Sequence, residues 1–164
     1  MNSTVTDILQ ILNDAQSLRA VGFSSGYTFN ISGAEELFDE IMQNTACELP
    51  IFSGILMLEE NETKTNFTII DGLQRITTIC LLLIALCDSI KNSSQKNNIA
   101  REKIVTRYLM FQDSAKLKLT DKDNSIYNKI ISGLQITDEN EKNTNLYKVY
   151  SFFTEKIEAN TISY

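Results

Sequence analysis

The hydrophobic positions of this chain change period as it is read. Val5, Ile8, Leu9 and Leu12 recur at helical spacing, as do Leu37, Phe38, Ile41 and Met42, and later Leu146, Val149, Tyr150, Phe153 and Ile157. Apolar residues at i, i+3 and i+4 form one stripe, so these segments predict three amphipathic helices with the named residues inward. Thr4-Val5-Thr6-Asp7 and Ser32-Gly33-Ala34-Glu35 read as capping boxes that open the first two. The first helix ends near Asp14. The Gly- and Ser-containing residues 20–31 read as a loop or a short irregular strand.

Two short apolar runs, 51–58 and 67–70, predict strands, and the polar residues 59–65 between them predict an antiparallel hairpin. Gly54 interrupts the first run; a strand glycine marks a bulge or a close approach by another group. The period then returns to 3.6 over residues 73–89. This helix is apolar nearly all round from 76 to 87, which requires several neighbours to bury it. Residues 92–98 read as a polar linker and 99–111 as a helix. Lys116-Leu117-Lys118-Leu119 alternates like a short strand with one wet face. Thr120-Asp121-Lys122-Asp123 is a third capping box, opening a helix that runs to Ile131 and that Gly133 ends. The expected fold class is α+β: a small mixed β-sheet packed on a long apolar helix, followed by a mainly helical C-terminal half. Residues 1–164 read as a single domain, with 1–91 as its core and 92–164 as a helical extension.

Charge and composition narrow the chemistry. The chain has a formal net charge of -6 and no Lys/Arg block. With a pI near 4.7, it is a poor direct binder of DNA. There is no His, which excludes an HNH-type nuclease, a Ser-His-Asp triad and a His-ligated zinc site. The three cysteines (Cys47, Cys80, Cys87) show no CxxC spacing. Cys80 and Cys87 lie on the apolar helix and read as buried structural thiols. The N-terminus lacks a signal-peptide pattern, and the longest apolar run (79–87) is far too short for a membrane span. A cytoplasmic protein without a membrane partner is the expectation.

One segment reads as a site. The strand over 67–70 runs into an Asp71-Gly72 corner, and the helix that follows begins with Gln74, Arg75, Thr77 and Thr78. The N-terminus of a helix favours an anion through its free N–H groups and its dipole. Gly72 permits an unusual backbone angle and close approach by a ligand. Asp71 can act as N-cap or as ligand of an ion such as Mg²⁺. Arg75 offers a planar fork suited to phosphate oxygens, and Thr77 and Thr78 add hydroxyls. The same residues also suit a plain helix start: Asp71 and Gln74 as a capping box, Arg75 paired with Asp71 or Glu59, and both threonines bonded back to helix carbonyls.

Asp71-Gly72-Leu73-Gln74-Arg75-Ile76-Thr77-Thr78, at the end of an apolar strand and before a Leu-rich helix, resembles the signature of the GmrSD-type restriction endonuclease N-terminal family. Its context is similar too: an acidic amphipathic helix (35–43), Phe52-Ser53-Gly54-Ile55, a polar turn, and later Leu117-Lys118-Leu119 with Asp123, Ile126, Tyr127 and Ile130. The resemblance covers roughly residues 4–132. It implies a ParB/sulfiredoxin-like fold and binding of an NTP with Mg²⁺, in some members with hydrolysis, which regulates cleavage of modified foreign DNA by a separate nuclease domain. Carried onto this chain, it implies Asp71 and Gln74 as catalytic residues and Gly72, Arg75, Thr77 and Thr78 as nucleotide- or phosphate-binding residues. Two departures are visible. Leu73 stands where the family commonly has Gln. The upstream Tyr-Gln-Arg element and its Trp have no counterpart, and residues 16–29 stand in their place. The alternative reading is therefore a catalytically degenerate scaffold or partner-binding module of the same fold.

Overall fold

A computed structural model describes residues 6–21, 26–46, 54–91 and 95–161. The elements follow in the order α1 (Ile8–Asp14), β1 (Ser17–Ala20), α2 (Ile31–Ala46), β2 (Met57–Glu60), β3 (Asn66–Asp71), α3 (Leu73–Lys91) and α4 (Gln95–Ile104). A π turn (Val105–Leu109), the short strands β4 (Met110–Phe111), β5 (Ser114–Ala115) and β6 (Leu117–Lys118), then α5 (Asp121–Ile131), α6 (Glu139–Lys142) and α7 (Asn145–Thr161) complete it. The fold is α+β, as expected. Its mixed sheet has the strand order β2-β3-β1-β6, with β4 and β5 forming a separate hairpin.

The strand β1 pairs in parallel with both β3 and β6, while β2 pairs antiparallel with β3. Register sets Leu18 beside Phe67 and Leu117, and Ala20 beside Ile69. Leu18, Phe67, Leu117 and Ile69 are buried and share one core with Ile76, Cys80, Leu81 and Ile84 of α3. The helix α3 packs along α7 and α4, and Leu146, Val149, Phe153 and Ile157 of α7 are buried in the same core. That explains why α3 is apolar on nearly every side: sheet and helices enclose it.

Several expectations need correction. Strand β1 falls where helix 1 gives way to a predicted loop. Its four residues, Ser-Leu-Arg-Ala, hold one buried apolar position and no β-branched side chain, so pairing from both neighbours makes the strand rather than local propensity. The first hairpin strand starts only at Met57 and includes Glu59 and Glu60, which the sequence assigns to the connection; residues 51–53 lie outside the described residues. Asn61 makes the turn, its Oδ1 accepting from the N–H groups of Thr65 and Asn66. Helix α1 is capped by Asp7, whose side chain accepts from Leu9 N; Thr4 lies outside the described residues. Helix α2 begins at Ile31, one residue before the predicted cap, and Asn30 Oδ1 accepts from Gly33 N at 3.0 Å. Met42 is exposed rather than inward, because the buried stripe of α2 centres on Ala34 and Phe38.

Residues 95–98 belong to α4 rather than to a linker. The predicted 99–111 helix stops at Ile104, widens into the π turn that buries Val105 and Leu109, and ends in β4. Lys116 is buried, not on a wet face. Its Nζ donates to the carbonyls of Leu12, Asn13 and Arg107, tying the end of α1 to the π turn. The predicted end of α5 holds: Gly133 has φ 69°, Gly133 N donates to Ile130 O, and Leu134 N donates to Lys129 O.

Candidate functional site at the start of helix α3

The corner between β3 and α3 is closed by Gly72, with φ 95°. Ile76 N donates to Gly72 O at 3.1 Å, so Gly72 occupies the N-cap position expected of Asp71. Asp71 instead accepts from Gly72 N through Oδ1 at 2.7 Å, and its carboxylate is exposed. A Cβ on Gly72 would lie 2.6 Å from Leu56 Cδ1, the movable end of a side chain, and 3.3 Å from Ile55 O, so it is the backbone angle that requires glycine. Among the described residues, nothing accepts from the N–H groups of Leu73, Gln74 and Arg75. Among the described residues, the positive end of this 19-residue helix therefore has no acceptor at this corner.

Arg75 stands at its mouth. NH1 donates to Ile55 O at 2.8 Å, and the guanidinium lies against Gly54. A Cβ on Gly54 would sit 2.4 Å from Arg75 Cζ and 2.7 Å from NH1, and Gly54 has φ 96°. The close approach that Gly54 predicts is thus made by Arg75. No ion pair joins Arg75 to Asp71 or Glu59, and no carboxylate among the described residues takes up its other N–H groups.

The remaining polar side chains of the signature turn inward. Gln74 Oε1 accepts from Thr28 N at 2.9 Å and Phe29 N at 3.2 Å, and Nε2 donates to Gly26 O at 3.1 Å. Gln74 is therefore not half of a capping box; it ties residues 26–29 to α3. Thr77 Oγ1 donates to Leu73 O and Thr78 Oγ1 to Gln74 O, and both residues are fully buried. A hydroxyl has one proton, so neither threonine has a donor left for an anion. Because Thr78 has spent its proton, Tyr27 OH must donate in the 2.7 Å contact between them. Burial raises the Tyr27 pKa well above its ordinary value, and a phenol that donates its proton to Thr78 is held in the same neutral form.

Asp123 holds the same segment from the other side. Its Oδ2 accepts from Tyr27 N and from Thr120 Oγ1, and a Cβ on Gly26 would approach that oxygen to 2.8 Å. The crevice between Gly26, Gln74, Thr77 and Asp123 measures about 10 Å³, room for one water at most. Residues 26–29 are thus clamped between the starts of α3 and α5. The sequence marks this clamp only by an aromatic residue next to a glycine (Gly26-Tyr27), a signal too weak to single out Tyr27. Asp123 stands out in the sequence as a cap, and its reach to Tyr27 depends on the tertiary fold.

Among the described residues no group of three or more His, Cys, Asp or Glu is placed to hold a metal ion. Asp71 is one exposed carboxylate, which suits Mg²⁺ only when substrate phosphates complete the shell. Cys80 and Cys87 are buried free thiols, as expected. Burial pushes the Cys80 pKa up to about 12. It pushes Cys87 up to about 11, with Arg101 lowering and Asp88 raising it by lesser amounts.

No helix among the described residues is long and apolar enough to cross a membrane. No curated protein matches the chain. The family model for the GmrSD restriction endonuclease N-terminal domain matches residues 24–164, which include the corner, the clamp and the C-terminal helices. A match of that extent makes this chain a member of the GmrSD restriction endonuclease N-terminal domain family, and so a component of a restriction system.

Proposed function

We propose that this chain is the NTP-binding regulatory domain of a modification-dependent DNA restriction system, with the nuclease supplied by another domain or partner protein. The observation that carries the reading is the open N-terminus of α3 with the Arg75 guanidinium held at its mouth by Gly54 and Ile55 O. In this reading the N–H groups of Leu73, Gln74 and Arg75, with the free edge of the Arg75 fork, bind the phosphates. Gly72 lets them approach the backbone. Asp71 binds Mg²⁺ or orients a water toward the terminal phosphate. Gln74 acts by placing residues 26–29 beside the phosphates, and Thr77 and Thr78 hold the first turn and Tyr27 in position. Calorimetry of the full chain with GTP and ATP in Mg²⁺ tests this. Binding that Arg75→Ala weakens by about tenfold or more, with folding unchanged, is the expected result. A folded wild-type chain that binds neither nucleotide would sink it.

A second reading has its own observation. Gln74, Thr77 and Thr78 spend their polar groups within the protein, as in a scaffold that keeps the fold without turnover. It predicts no NTP hydrolysis and a stable Arg75→Ala variant; hydrolysis that depends on Arg75 rules it out.

A further inference from the structure

The sheet has a second polar face. Register places Lys118, Arg19, Thr68 and Glu59 in one row across β6, β1, β3 and β2. Their strand neighbours Leu117, Leu18, Phe67 and Leu58 belong to the core side, so this row faces away from the core. A groove of about 450 Å³ opens here, lined among others by Ser17, Arg19, Asn66, Thr68 and the carboxylates Glu59 and Glu60; Lys118 is not in this lining but pairs with Arg19 on the next strand. That volume falls within the range of small-molecule sites, about 300–1,000 Å³.

Apart from Asn61, whose amide is taken up by the β2–β3 turn, the polar side chains on this face are unused. Among the described residues, the side chains of Arg19, Lys118, Ser17, Thr68, Glu59 and Asn66 have no hydrogen-bond or ion-pair partner. Two cations thus sit on adjacent strands in a chain of net charge -6 without a carboxylate between them. Burial and, second, the Arg19 charge both lower the Lys118 pKa, the mark of a cation pair that an anion would relieve. Across the groove Glu59 can only accept. Two strand spacings separate it from Arg19, about 10 Å, with the hydroxyls of Ser17 and Thr68 and the amide of Asn66 between.

We propose that this face binds a small phosphate ester of nucleoside-monophosphate size, at a site separate from the α3 corner. Arg19 and Lys118 bind the phosphate; an Arg fork suits its oxygens. Ser17, Thr68 and Asn66 meet the sugar hydroxyls. Glu59 accepts from an amino group at the far end, which favours a base-bearing ester over a bare sugar phosphate. The inference stands on the groove alone and survives failure of the reading for the corner.

The test is an NMR titration of the full chain with AMP, adenosine and ribose 5-phosphate, on wild type, Arg19→Gln/Lys118→Gln, Glu59→Gln and Arg75→Ala. Arg19 is exposed and Lys118 half-buried, and a melting curve for each variant establishes that it folds. AMP is expected to shift the amides of Ser17, Arg19 and Thr68 in wild type and equally in Arg75→Ala. The double variant should weaken AMP by about tenfold or more, and Glu59→Gln should bring AMP down to the affinity of ribose 5-phosphate. Adenosine should leave these amides unmoved. Any of three results overturns the proposal: no shift at these amides with millimolar AMP, equal AMP affinity in the double variant, or ribose 5-phosphate binding as tightly as AMP to wild type.

Discussion

Replacing Gly54 with Ala isolates the contact that holds Arg75 in place. Two separable penalties follow from the structure. Gly54 has φ 96°, and an L-residue held in so sparsely populated a region is destabilised by about 1–3 kcal/mol. The new Cβ would also stand 2.4 Å from Arg75 Cζ. The guanidinium is the far end of a flexible side chain, so it swings aside rather than clashing, and its bond to Ile55 O is lost. That loss is worth about 1 kcal/mol, at the lower end for a charged donor because Arg75 is exposed. Gly54→Ala should therefore cost about 2–4 kcal/mol, a fall in Tm of roughly 5–12 °C for a domain of this size. The backbone penalty does not depend on Arg75, whereas the second does. In a double-mutant cycle with Arg75→Ala, read by urea denaturation, the coupling energy should be about 1 kcal/mol. The reasoning is refuted if Gly54→Ala lies within about 0.5 kcal/mol of wild type, or if the two substitutions are additive.

Other outcomes are expected elsewhere. Lys116→Ala leaves three carbonyls without their donor and should destabilise by about 3 kcal/mol in urea melts. Burial lowers the Lys116 pKa below 10.5 in the folded chain, so the unfolded chain holds that proton to higher pH. Wild-type stability should then rise, relative to Lys116→Met, as pH passes from the folded value up to 10.5. Tyr27 has the opposite sign: its pKa is raised on folding, so wild type should lose stability relative to Tyr27→Phe as pH climbs above 10, measured by thermal melts. Gln74→Ala should speed hydrogen exchange at Thr28 and Phe29, whose amides donate to Gln74, while Gln74→Glu, which keeps an acceptor, should slow it back toward wild type. Cys80 and Cys87, buried with raised pKa values, should resist iodoacetamide until the chain is unfolded, read by mass spectrometry.

The readable parts of this fold are those with a long or sharp local signal. Helix α3 announces itself by unbroken apolar character, α7 by five inward residues at helical spacing, and β3 by its apolar run into Asp71-Gly72. Strand β1 is different. Its single buried leucine has no partner nearby in sequence; its neighbours are Phe67 and Leu117, 49 and 99 residues away by the register pairs. Lys116 misleads for a related reason. Alternation predicts a wet lysine, but the carbonyls that bury it come from α1 and the π turn. At the corner, the chain position of each polar group is legible, whereas its direction depends on what packs opposite. Gln74 turns away from the helix cap because the 26–29 backbone offers two donors and one acceptor there.

That inward turn bears on how much of the signature can meet a ligand. Of its five polar side chains, Gln74, Thr77 and Thr78 are bonded to backbone and to Tyr27. Asp71 and Arg75 alone present exposed charge, and they carry opposite signs. Asp71 sits beside the positive helix end, so in the proposed function it would, without a cation, repel the phosphates assigned to Arg75. A divalent ion bridging Asp71 and the phosphates removes that conflict. Nucleotide affinity at the corner should therefore depend steeply on Mg²⁺, and Asp71→Asn should flatten the dependence while strengthening binding in its absence. Titrating an NTP into both chains with and without Mg²⁺ separates the possibilities. If wild type binds equally well under both conditions, Asp71 does not face the phosphates and its role at this corner is limited to the bond it makes to Gly72 N.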